Sequence, residues 1–239
     1  MSAETRRIVI AIDGPAGAGK STIAREVARE LDYTYVDTGA MYRTVGLLAH
    51  ERGISLDDAA SLEALTAGLA FSFPWIEGTL HTVVDGRDVS GLIRTPEAAL
   101  RASTVSKVPV VRAALVQRQR RLARHGGVVM EGRDIGTVVF PDAELKVFLT
   151  ASARVRGERR WKEMRDRHDD SLDLEEVIAE IERRDHQDST REVAPLRPAS
   201  DSVVLDTSKL AIGRVRRALL RLAKARQGEP EEENSQTLA

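Results

Sequence analysis

The sequence contains no cysteine among its 239 residues. This absence excludes a disulfide framework, a thiolate zinc site and a cysteine nucleophile. Aromatic residues make up only 4% of the chain. No apolar run approaches the roughly 18 residues that a membrane span needs. The polar first seven residues are not followed by the apolar core of a signal peptide. We therefore expect a soluble, cytoplasmic protein with no membrane partner.

The sequence also lacks an excess of positive or negative charge. The 36 basic and 37 acidic residues leave a formal net charge of −1. A globally basic nucleic-acid binder is therefore disfavoured, and we expect no nucleic-acid partner. Lysine is scarce, with 6 lysines against 30 arginines. Arginine grips phosphate through two parallel hydrogen bonds, but a high-GC genome produces the same surplus, so the positions of the arginines must decide.

Short apolar runs alternate with amphipathic segments along most of the chain. Strands are predicted at Arg7–Ile12, Tyr33–Val36, Val128–Met130, Leu145–Leu149 and Val203–Leu205. Helices are predicted at Ser21–Leu31, Ala40–Arg52, Leu56–Gly68, Pro109–Arg124, Ser152–Arg167, Leu174–His186 and Leu210–Arg226. Apolar strands that alternate with helices are typical of a parallel sheet covered on both faces. The sequence therefore predicts an α/β fold.

The alternation is interrupted between residues 54 and 108. There Phe71–Trp75 and Thr79–Val84 read as strands, with turn signals at Glu77-Gly78 and Asp85-Gly86. We predict an antiparallel insertion in a single domain that covers residues 1–226. Residues 227–239 are acidic and hold few apolar side chains, so we expect a disordered tail there.

One motif follows the first predicted strand and opens the first predicted helix. It matches G-x-x-x-x-G-K-[ST] and consists of Gly14, Pro15, Ala16, Gly17, Ala18, Gly19, Lys20 and Ser21. Backbone N–H groups of such a loop, with the helix N-terminus, bind the β-phosphate of a nucleotide. Lys20 reaches the β- and γ-phosphates, and the hydroxyl of Ser21, or of the adjacent Thr22, can hold Mg²⁺. The motif predicts a nucleoside triphosphate site.

Arginines follow two other predicted strands, in the segments Asp37–Arg43 and Glu131–Asp134. Open α/β sheets bind ligands at the carboxyl ends of their strands. We therefore interpret Arg43, Arg133 and Asp134 as site residues. A near copy of the second segment, at Asp85–Asp88, falls in the predicted hairpin, and we interpret it as a turn.

Two further segments are rich in arginine. The first, Arg112–Arg124, reads mostly as a solvated helix face. The second, Arg154–Arg167, carries seven basic residues against three acidic ones and is followed by the loop-like His168–Ser171. This helix and loop suit a lid over about residues 154–172 that closes over phosphates, with an ordinary charged surface helix as the alternative.

Five motifs in order resemble those of the bacterial cytidylate kinases, a family of nucleoside monophosphate kinases. They are IDGPAGAGKST, DTGAMYR, the segment DVS with IR in the insertion, GRDIGTVVFPDA, and RRDHQDSTR followed by VAPL. The resemblance runs from about Ile8 to about Arg226. It implies a P-loop fold with a parallel sheet of order 2-3-1-4-5, a lid and a CMP-side insertion. It also implies Mg²⁺-dependent phosphoryl transfer from ATP to CMP and dCMP. We expect a monomer.

The resemblance also assigns roles to residues of this chain. Phosphate binding falls on Arg43, Arg133 and Arg191. Base recognition falls on Thr38, where many relatives carry Ser, and on Arg112 and Asp134. Sugar contacts fall on Ser103, Arg184 and Asp188. The family's lid arginines fall on Arg156 and Arg160, with Arg159 between them. Together with Lys20 of the glycine-rich motif, these three are the predicted catalytic residues.

Two other functions remain open at this point. One is a P-loop kinase of the shikimate or gluconate type, which would need a base to activate a hydroxyl. The other is a regulatory nucleotide switch that binds a partner protein and phosphorylates no small acceptor. A phosphate acceptor needs no base, because its second pKa of about 6 leaves it mostly a dianion at pH 7.

Overall fold

The structure is a computed structural model that describes residues 6–166 and 170–228. The strands are β1 (Val9–Asp13), β2 (Thr34–Asp37), β3 (Phe71–Ser72), β4 (Trp75–Ile76), β5 (Thr79–Leu80), β6 (Val83–Val84), β7 (Arg87–Asp88), β8 (Val128–Gly132), β9 (Leu145–Thr150) and β10 (Val203–Asp206). The helices are α1 (Lys20–Leu31), α2 (Thr38–Glu51), α3 (Ala59–Ala67), α4 (Pro96–Val105), α5 (Pro109–Leu122), α6 (Ala153–Arg165), α7 (Leu174–Thr190) and α8 (Ile212–Gln227).

The central sheet contains five parallel strands in the order β2-β8-β1-β9-β10. Counted along the chain, this order is 2-3-1-4-5, which confirms the fold class and topology implied by the motifs. β1 lies in the middle, with Asp13 opposite Gly132 of β8 and Phe148 of β9. The loops after β1, β2 and β8 therefore meet at one edge of the sheet, where the arginine-bearing segments begin.

Two hydrophobic cores cover the two faces of the sheet, as the apolar strands predict. Ile10 and Ile12 belong to the core shared with α1 and α8, whereas Ala11 belongs to the core shared with α2, α3 and α5. Successive strand residues point to opposite faces, so one short strand supplies both cores. This double burial explains why the strands read as continuous apolar runs.

Local capping sets where the helices near the sheet edge begin and end. Asp37 caps α2 by accepting a hydrogen bond from the Ala40 N–H at 2.9 Å. The cap fixes the first turn of α2, which carries Thr38, and the following turn, which carries Arg43. Beyond the other end of α2, Gly53 has a φ of 65°, as its predicted C-cap position requires.

The insertion is antiparallel, as predicted, but its strands are more divided. β3 pairs with β6, and the separate hairpin of β4 and β5 extends from them. The predicted turn at Asp85-Gly86 is confirmed, because both residues have positive φ and connect β6 to β7. Arg87 of this turn pairs with Glu51 of α2, which supports a structural interpretation of the motif copy.

Helix α4 was not among the sequence predictions. Thr95 caps it by accepting from the Ala98 N–H at 3.1 Å, with Pro96 in the first turn. Threonine followed by proline and glutamate is a helix-start signal that the residues offered. Helix α4 packs against α2, where a Cβ on Gly46 would lie 2.8 Å from the Arg101 Cβ. The glycine therefore permits the close approach of the two helices.

Helix α6, which lies in the predicted lid segment, packs against α7, and we call these two the lid helices. They share a small core of Met164, Val177 and Ile181. α7 begins with a capping box between Asp173 and Glu176 and runs to Thr190, past the predicted end at His186. Part of the predicted lid loop, at residues 167–169, lies outside the described residues.

The last helix, α8, runs to Gln227, one residue beyond the predicted domain boundary. The Gln227 side chain donates a hydrogen bond to the Tyr33 hydroxyl at 2.6 Å. Residues 229–239 lie outside the described residues, so the disordered tail stays a prediction. Within residues 6–166 and 170–228, no helix has the length and apolar character to span a membrane.

Candidate active site

The glycine-rich loop connects β1 to α1 at the carboxyl edge of the sheet. Gly14 passes so close to β9 that a Cβ would lie 2.0 Å from the Leu149 carbonyl oxygen. Gly19 has a φ of 89° at the N-cap of α1, a backbone conformation that favours glycine. The loop thus has the strand–loop–helix context that an anion site of this kind requires.

Lys20 is buried beside this loop. Its Nζ donates a hydrogen bond to the Pro15 carbonyl oxygen at 2.7 Å. Burial and the nearby charge of Arg133 lower the pKa of Lys20, while Glu131 acts in the opposite direction. Lys20 therefore lies near Arg133 and Glu131, at the point where the glycine-rich loop (the P-loop) approaches β8 and the segment that follows it.

Glu131, the next-to-last residue of β8, is a buried acid that the sequence predictions did not assign to a role. Its carboxylate accepts a hydrogen bond from the Tyr35 hydroxyl, and the Ser21 side chain lies beside it. Burial and the charge of Asp37 raise the pKa of Glu131, against the effect of Lys20. An acidic residue at the end of an apolar strand beside the P-loop was the available signal.

Ser21 and Glu131 are neighbouring side chains that both carry oxygen atoms, which fits the preference of Mg²⁺ for hard oxygen ligands. In residues 6–166 and 170–228, no group of three or more His, Cys, Asp or Glu residues could hold a metal alone. This donor set suits an ion whose other ligands are water and nucleotide phosphates, as is common for Mg²⁺.

Thr38, Arg112 and Asp134, the residues expected to recognise a base, are all buried. Arg112 donates a hydrogen bond from Nη2 to Oδ2 of Asp134. The Thr38 hydroxyl donates to the Glu131 carbonyl oxygen at 2.7 Å, so its oxygen lone pairs remain available to an incoming donor. Burial raises the pKa of the adjacent Tyr42 to about 12.

Arg43, Arg133 and Arg191, the predicted phosphate arginines, are partly buried and close to carboxylates. Arg43 pairs with Asp37 at 2.8 Å, and Arg133 pairs with Asp188 at 2.9 Å. Nη2 of Arg191 lies 3.9 Å from Oδ1 of Asp134. The arginine cluster comprises Arg43, Arg112, Arg133, Asp134, Arg184, Asp188 and Arg191.

Two N–H-bearing atoms of the arginine cluster are buried without an acceptor within the described part of the chain. They are Nε of Arg43 and Nη2 of Arg191. A buried donor without an acceptor is unfavourable, since it has lost its hydrogen bonds to water. Both atoms could be satisfied by an anionic ligand.

The predicted sugar-contacting residues divide into two groups. Arg184 and Asp188 lie on α7 in the arginine cluster. Burial and the charge of Arg133 lower the pKa of Arg184. Burial acts to raise the pKa of Asp188, but Arg133 and the neighbouring arginines hold it below its usual value. Ser103 lies half-buried on α4, and none of its hydrogen bonds to described residues joins it to the cluster, so its role stays a prediction.

The three predicted lid arginines have different surroundings. Arg156 is 4% exposed, donates to the carbonyl oxygens of Ala151 and Ala16 at 2.8 and 3.1 Å, and forms a two-pronged ion pair with Asp185. Arg159 donates to the Thr207 carbonyl oxygen at 2.7 Å. Arg160 is exposed, 3.8 Å from Glu163. The structure thus brings Arg156 to the P-loop and leaves Arg160 at the surface.

The parallel sheet, with a glycine-rich loop and a neighbouring group of arginines at one edge, defines the class as a P-loop kinase. The profile of the cytidylate kinase family matches residues 10–225. The chain belongs to the cytidylate kinase family. This confirms the resemblance that the five motifs carry.

Individual relatives agree over nearly the whole chain. A cytidylate kinase from Syntrophotalea carbinolica is 50% identical over 222 residues, which cover 93% of this chain and 94% of the relative. One from Geobacter sulfurreducens is 50% identical over 90% of this chain and 92% of its own. A bifunctional pantoate ligase/cytidylate kinase from Synechococcus sp. strain JA-3-3Ab is also 50% identical, over 91% of this chain but only 41% of that longer protein.

Proposed function

We propose that this protein transfers the γ-phosphoryl group of ATP to the phosphate of CMP or dCMP, giving ADP and CDP or dCDP. The observation that carries the proposal is the pair of buried arginine nitrogens without acceptors, on Arg43 and Arg191. They belong to a cluster that adjoins the P-loop through Arg133 and Lys20. The phosphate of a nucleoside monophosphate would supply the missing acceptors next to the bound triphosphate.

The arginine cluster binds the acceptor phosphate. Arg43, Arg133 and Arg191 neutralise its charge, and the ion pairs with Asp37 and Asp188 hold two of these guanidinium groups in place. The nucleophile is an oxygen of the acceptor phosphate, which is already mostly a dianion at neutral pH because its second pKa is about 6. The chain therefore has no need to supply a general base, and its main task is to bring two polyanions together.

The P-loop binds the donor. Backbone N–H groups between Gly14 and Lys20 hold the β-phosphate, and the Lys20 ammonium follows the charge that develops on the transferring group. Ser21 and Glu131 would hold Mg²⁺, directly or through water. When bound, Mg²⁺ neutralises charge on the β- and γ-phosphates.

Base recognition falls to the buried group around Asp134. Cytosine presents an amino donor at the position where uracil presents an oxygen acceptor. The Asp134 carboxylate and the Thr38 oxygen accept from that amino group, while Arg112 donates to the ring carbonyl common to both bases. The ion pair between Arg112 and Asp134 fixes both partners before a nucleotide binds.

The lid helices complete the site. Arg159 and Arg160 neutralise the migrating phosphoryl group when α6 closes over it, and Arg156 ties α6 to the P-loop. Closure excludes water, which would otherwise compete with the acceptor and make the enzyme an ATPase.

The test is an assay of ADP release with ATP, Mg²⁺ and a panel of acceptors. CMP and dCMP should stimulate release strongly, and UMP, AMP and GMP less. Stimulation by shikimate or gluconate alone would favour a kinase that phosphorylates hydroxyl groups. Slow release that no acceptor stimulates would favour a nucleotide switch. Release that CMP does not stimulate would reject the proposal.

We also propose that the protein acts as a monomer in the cytoplasm on small molecules, without a nucleic-acid or membrane partner. The near-zero net charge of −1 supports the absence of a nucleic-acid partner. Sedimentation of the purified protein at micromolar concentration, with and without nucleotides, measures the oligomeric state. A stable dimer would overturn that part of the proposal.

A further inference from the structure

A single π-helical turn, Ile135–Val139, follows Arg133 and Asp134 directly. The Val138 N–H donates to the Asp134 carbonyl oxygen at 2.9 Å, and the Phe140 N–H donates to that of Ile135 at 2.7 Å. The first N–H groups of any helical turn have no acceptor inside it, so they need partners from elsewhere. The position of Asp134 depends on how this turn begins.

A residue from a different strand supplies those partners. Asp13, the last residue of β1, accepts from the Ile135 N–H at 2.8 Å through Oδ1. Its Oδ2 accepts from the Gly136 N–H at 2.7 Å. The side chain is buried, with the residue only 5% exposed. Two charge-assisted hydrogen bonds thus connect the residue before the P-loop to the start of the π-helical turn.

Asp134 itself occupies the N-cap position of the turn. Aspartate at an N-cap usually accepts a hydrogen bond from one of the first N–H groups of its own helix. Here the Asp134 side chain makes no capping bond, and its Oδ2 accepts from Arg112 instead. The two aspartates therefore have different roles. Asp13 caps the turn, and Asp134 pairs with Arg112.

We propose that Asp13 is a positioning residue for base recognition, because it caps the turn in place of Asp134 and so leaves the Asp134 carboxylate free for Arg112 and the base. The inference rests on the proposed role of Asp134. Without Asp13, the uncapped N–H groups of the turn compete for the carboxylate of Asp134, which occupies the N-cap position of the same turn. The expected result is a looser ion pair with Arg112 and weaker discrimination between bases.

The kinetic test compares Asp13→Ala with the wild type, alone and combined with Asp134→Ala. We expect Asp13→Ala to reduce the preference for CMP over UMP in kcat/KM by about tenfold, the scale of one base contact. In the Asp134→Ala background, the same substitution should leave the remaining preference unchanged, because the carboxylate that it displaces is gone. An equal loss for CMP and UMP, or an equal loss of preference in both backgrounds, would overturn the inference.

Asp58→Ala is the matched control. Asp58 caps α3 by accepting from the Ser61 N–H at 3.1 Å, outside the arginine cluster. Its loss also removes an aspartate that caps a helix, so a general effect of lost capping would appear in this variant too. We expect its preference for CMP over UMP to equal that of the wild type.

Hydrogen exchange provides a readout that does not depend on activity. Asp13→Asn keeps the side-chain shape and one acceptor but removes the charge. We expect faster exchange of the Ile135 and Gly136 amides in this variant, with unchanged exchange at Met130 in β8. Exchange as slow as in the wild type would show that Asp13 does not hold the turn.

The two proposals fail in different ways. A wild-type enzyme without a preference for CMP over UMP would overturn the proposed base recognition and this inference with it. A wild-type preference that Asp134→Ala reduces and Asp13→Ala leaves unchanged would overturn this inference alone.

Discussion

The arginine cluster and the lid helices are both rich in arginine, but they use it differently. In the cluster, Arg43, Arg112 and Arg133 each pair with a carboxylate. Buried N–H groups without acceptors remain on Arg43 and Arg191. In the lid helices, Arg156 is bound to protein acceptors, while Arg160 is exposed.

This difference shows that the number of arginines in a segment does not determine which of them can bind a ligand. A guanidinium group that is held by one carboxylate and keeps a spare donor is preorganised for an anion. One whose donors are taken up by Asp185, Ala16 and Ala151 acts first as a connection between α6, α7 and the P-loop. Arg156 therefore differs from the exposed Arg160, although the sequence places both on one helix.

The largest effect should come from Lys20→Ala, which removes the ammonium group that binds the phosphates of the triphosphate donor. We expect kcat to fall roughly a thousandfold, because the ammonium acts as charge develops on the transferring phosphoryl group. Circular dichroism should show an intact fold. Lys107→Ala, at an exposed lysine, is the control and should keep wild-type kcat. A folded Lys20→Ala enzyme with near wild-type kcat would remove Lys20 from the catalytic residues.

Substitution of the lid arginines tests the comparison directly. Arg156→Ala leaves Asp185 without its partner, and we expect the free energy of unfolding to fall by about 3 to 4 kcal/mol. Arg160→Ala should lower kcat without a measurable change in stability, because this side chain is exposed. Urea denaturation and steady-state kinetics of both variants are the measurements. An Arg156→Ala protein of wild-type stability but low kcat would place Arg156 with the phosphate-binding arginines and remove the distinction.

The pH dependence of stability tests Asp13, which caps the turn that follows Arg133 and Asp134 of the arginine cluster. Burial raises the pKa of Asp13 from 3.8 to about 6, although the Gly136 and Ile135 amides act to lower it. The folded protein therefore holds this proton more tightly than the unfolded chain does. The stability from Asp13 is present below about pH 4 and is lost as the pH rises through about 6.

The expected loss over that range is on the order of 3 kcal/mol. Chemical denaturation at several pH values measures it, as the difference between the wild type and Asp13→Asn. The wild type should lose stability relative to the variant as the pH rises from about 4 to about 7. A difference that does not change with pH would show that the carboxyl of Asp13 has an ordinary pKa in the folded protein.

Asp134→Ala tests whether the buried ion pair of the cluster reads the base. The preference for CMP over UMP in kcat/KM should fall by roughly one to two decades, on the scale of a base contact. Most of the loss should come from CMP, whose amino group then lacks its acceptor in a closed pocket. Asp142→Ala, at an exposed aspartate in the same motif, is the control. An equal loss for both substrates would make Asp134 a support for Arg112 and move base reading to Thr38.

The smallest effect is expected from deletion of residues 229–239, which belong to neither region of the comparison. The segment has few apolar side chains, so it can contribute little to a core. We expect unchanged kcat/KM and unchanged Tm. A fall in Tm of several degrees would show that the segment packs against the domain.

Features that depend on residues close together in the sequence could be predicted well. The P-loop, the cap position of Gly53 and the turn at Asp85-Gly86 depend on residues that are close together in the chain. The helix α4 carried a similar local signal at Thr95-Pro96. The bounds of β3 and β4 were predicted less well, because register in the insertion is decided by pairing with β6 and β5.

The sequence by itself determined the alternating α/β pattern and the position of the glycine-rich loop between β1 and α1, because local spacing and a local motif specify both. Only the tertiary structure decided which side chains are free and which are occupied. Asp13 meets Ile135, 122 positions away, and Arg156 meets Ala16, 140 positions away. Such partners become neighbours only when β1 lies between β8 and β9. The order of the strands, rather than the local sequence, therefore decides which hydrogen bonds these side chains make.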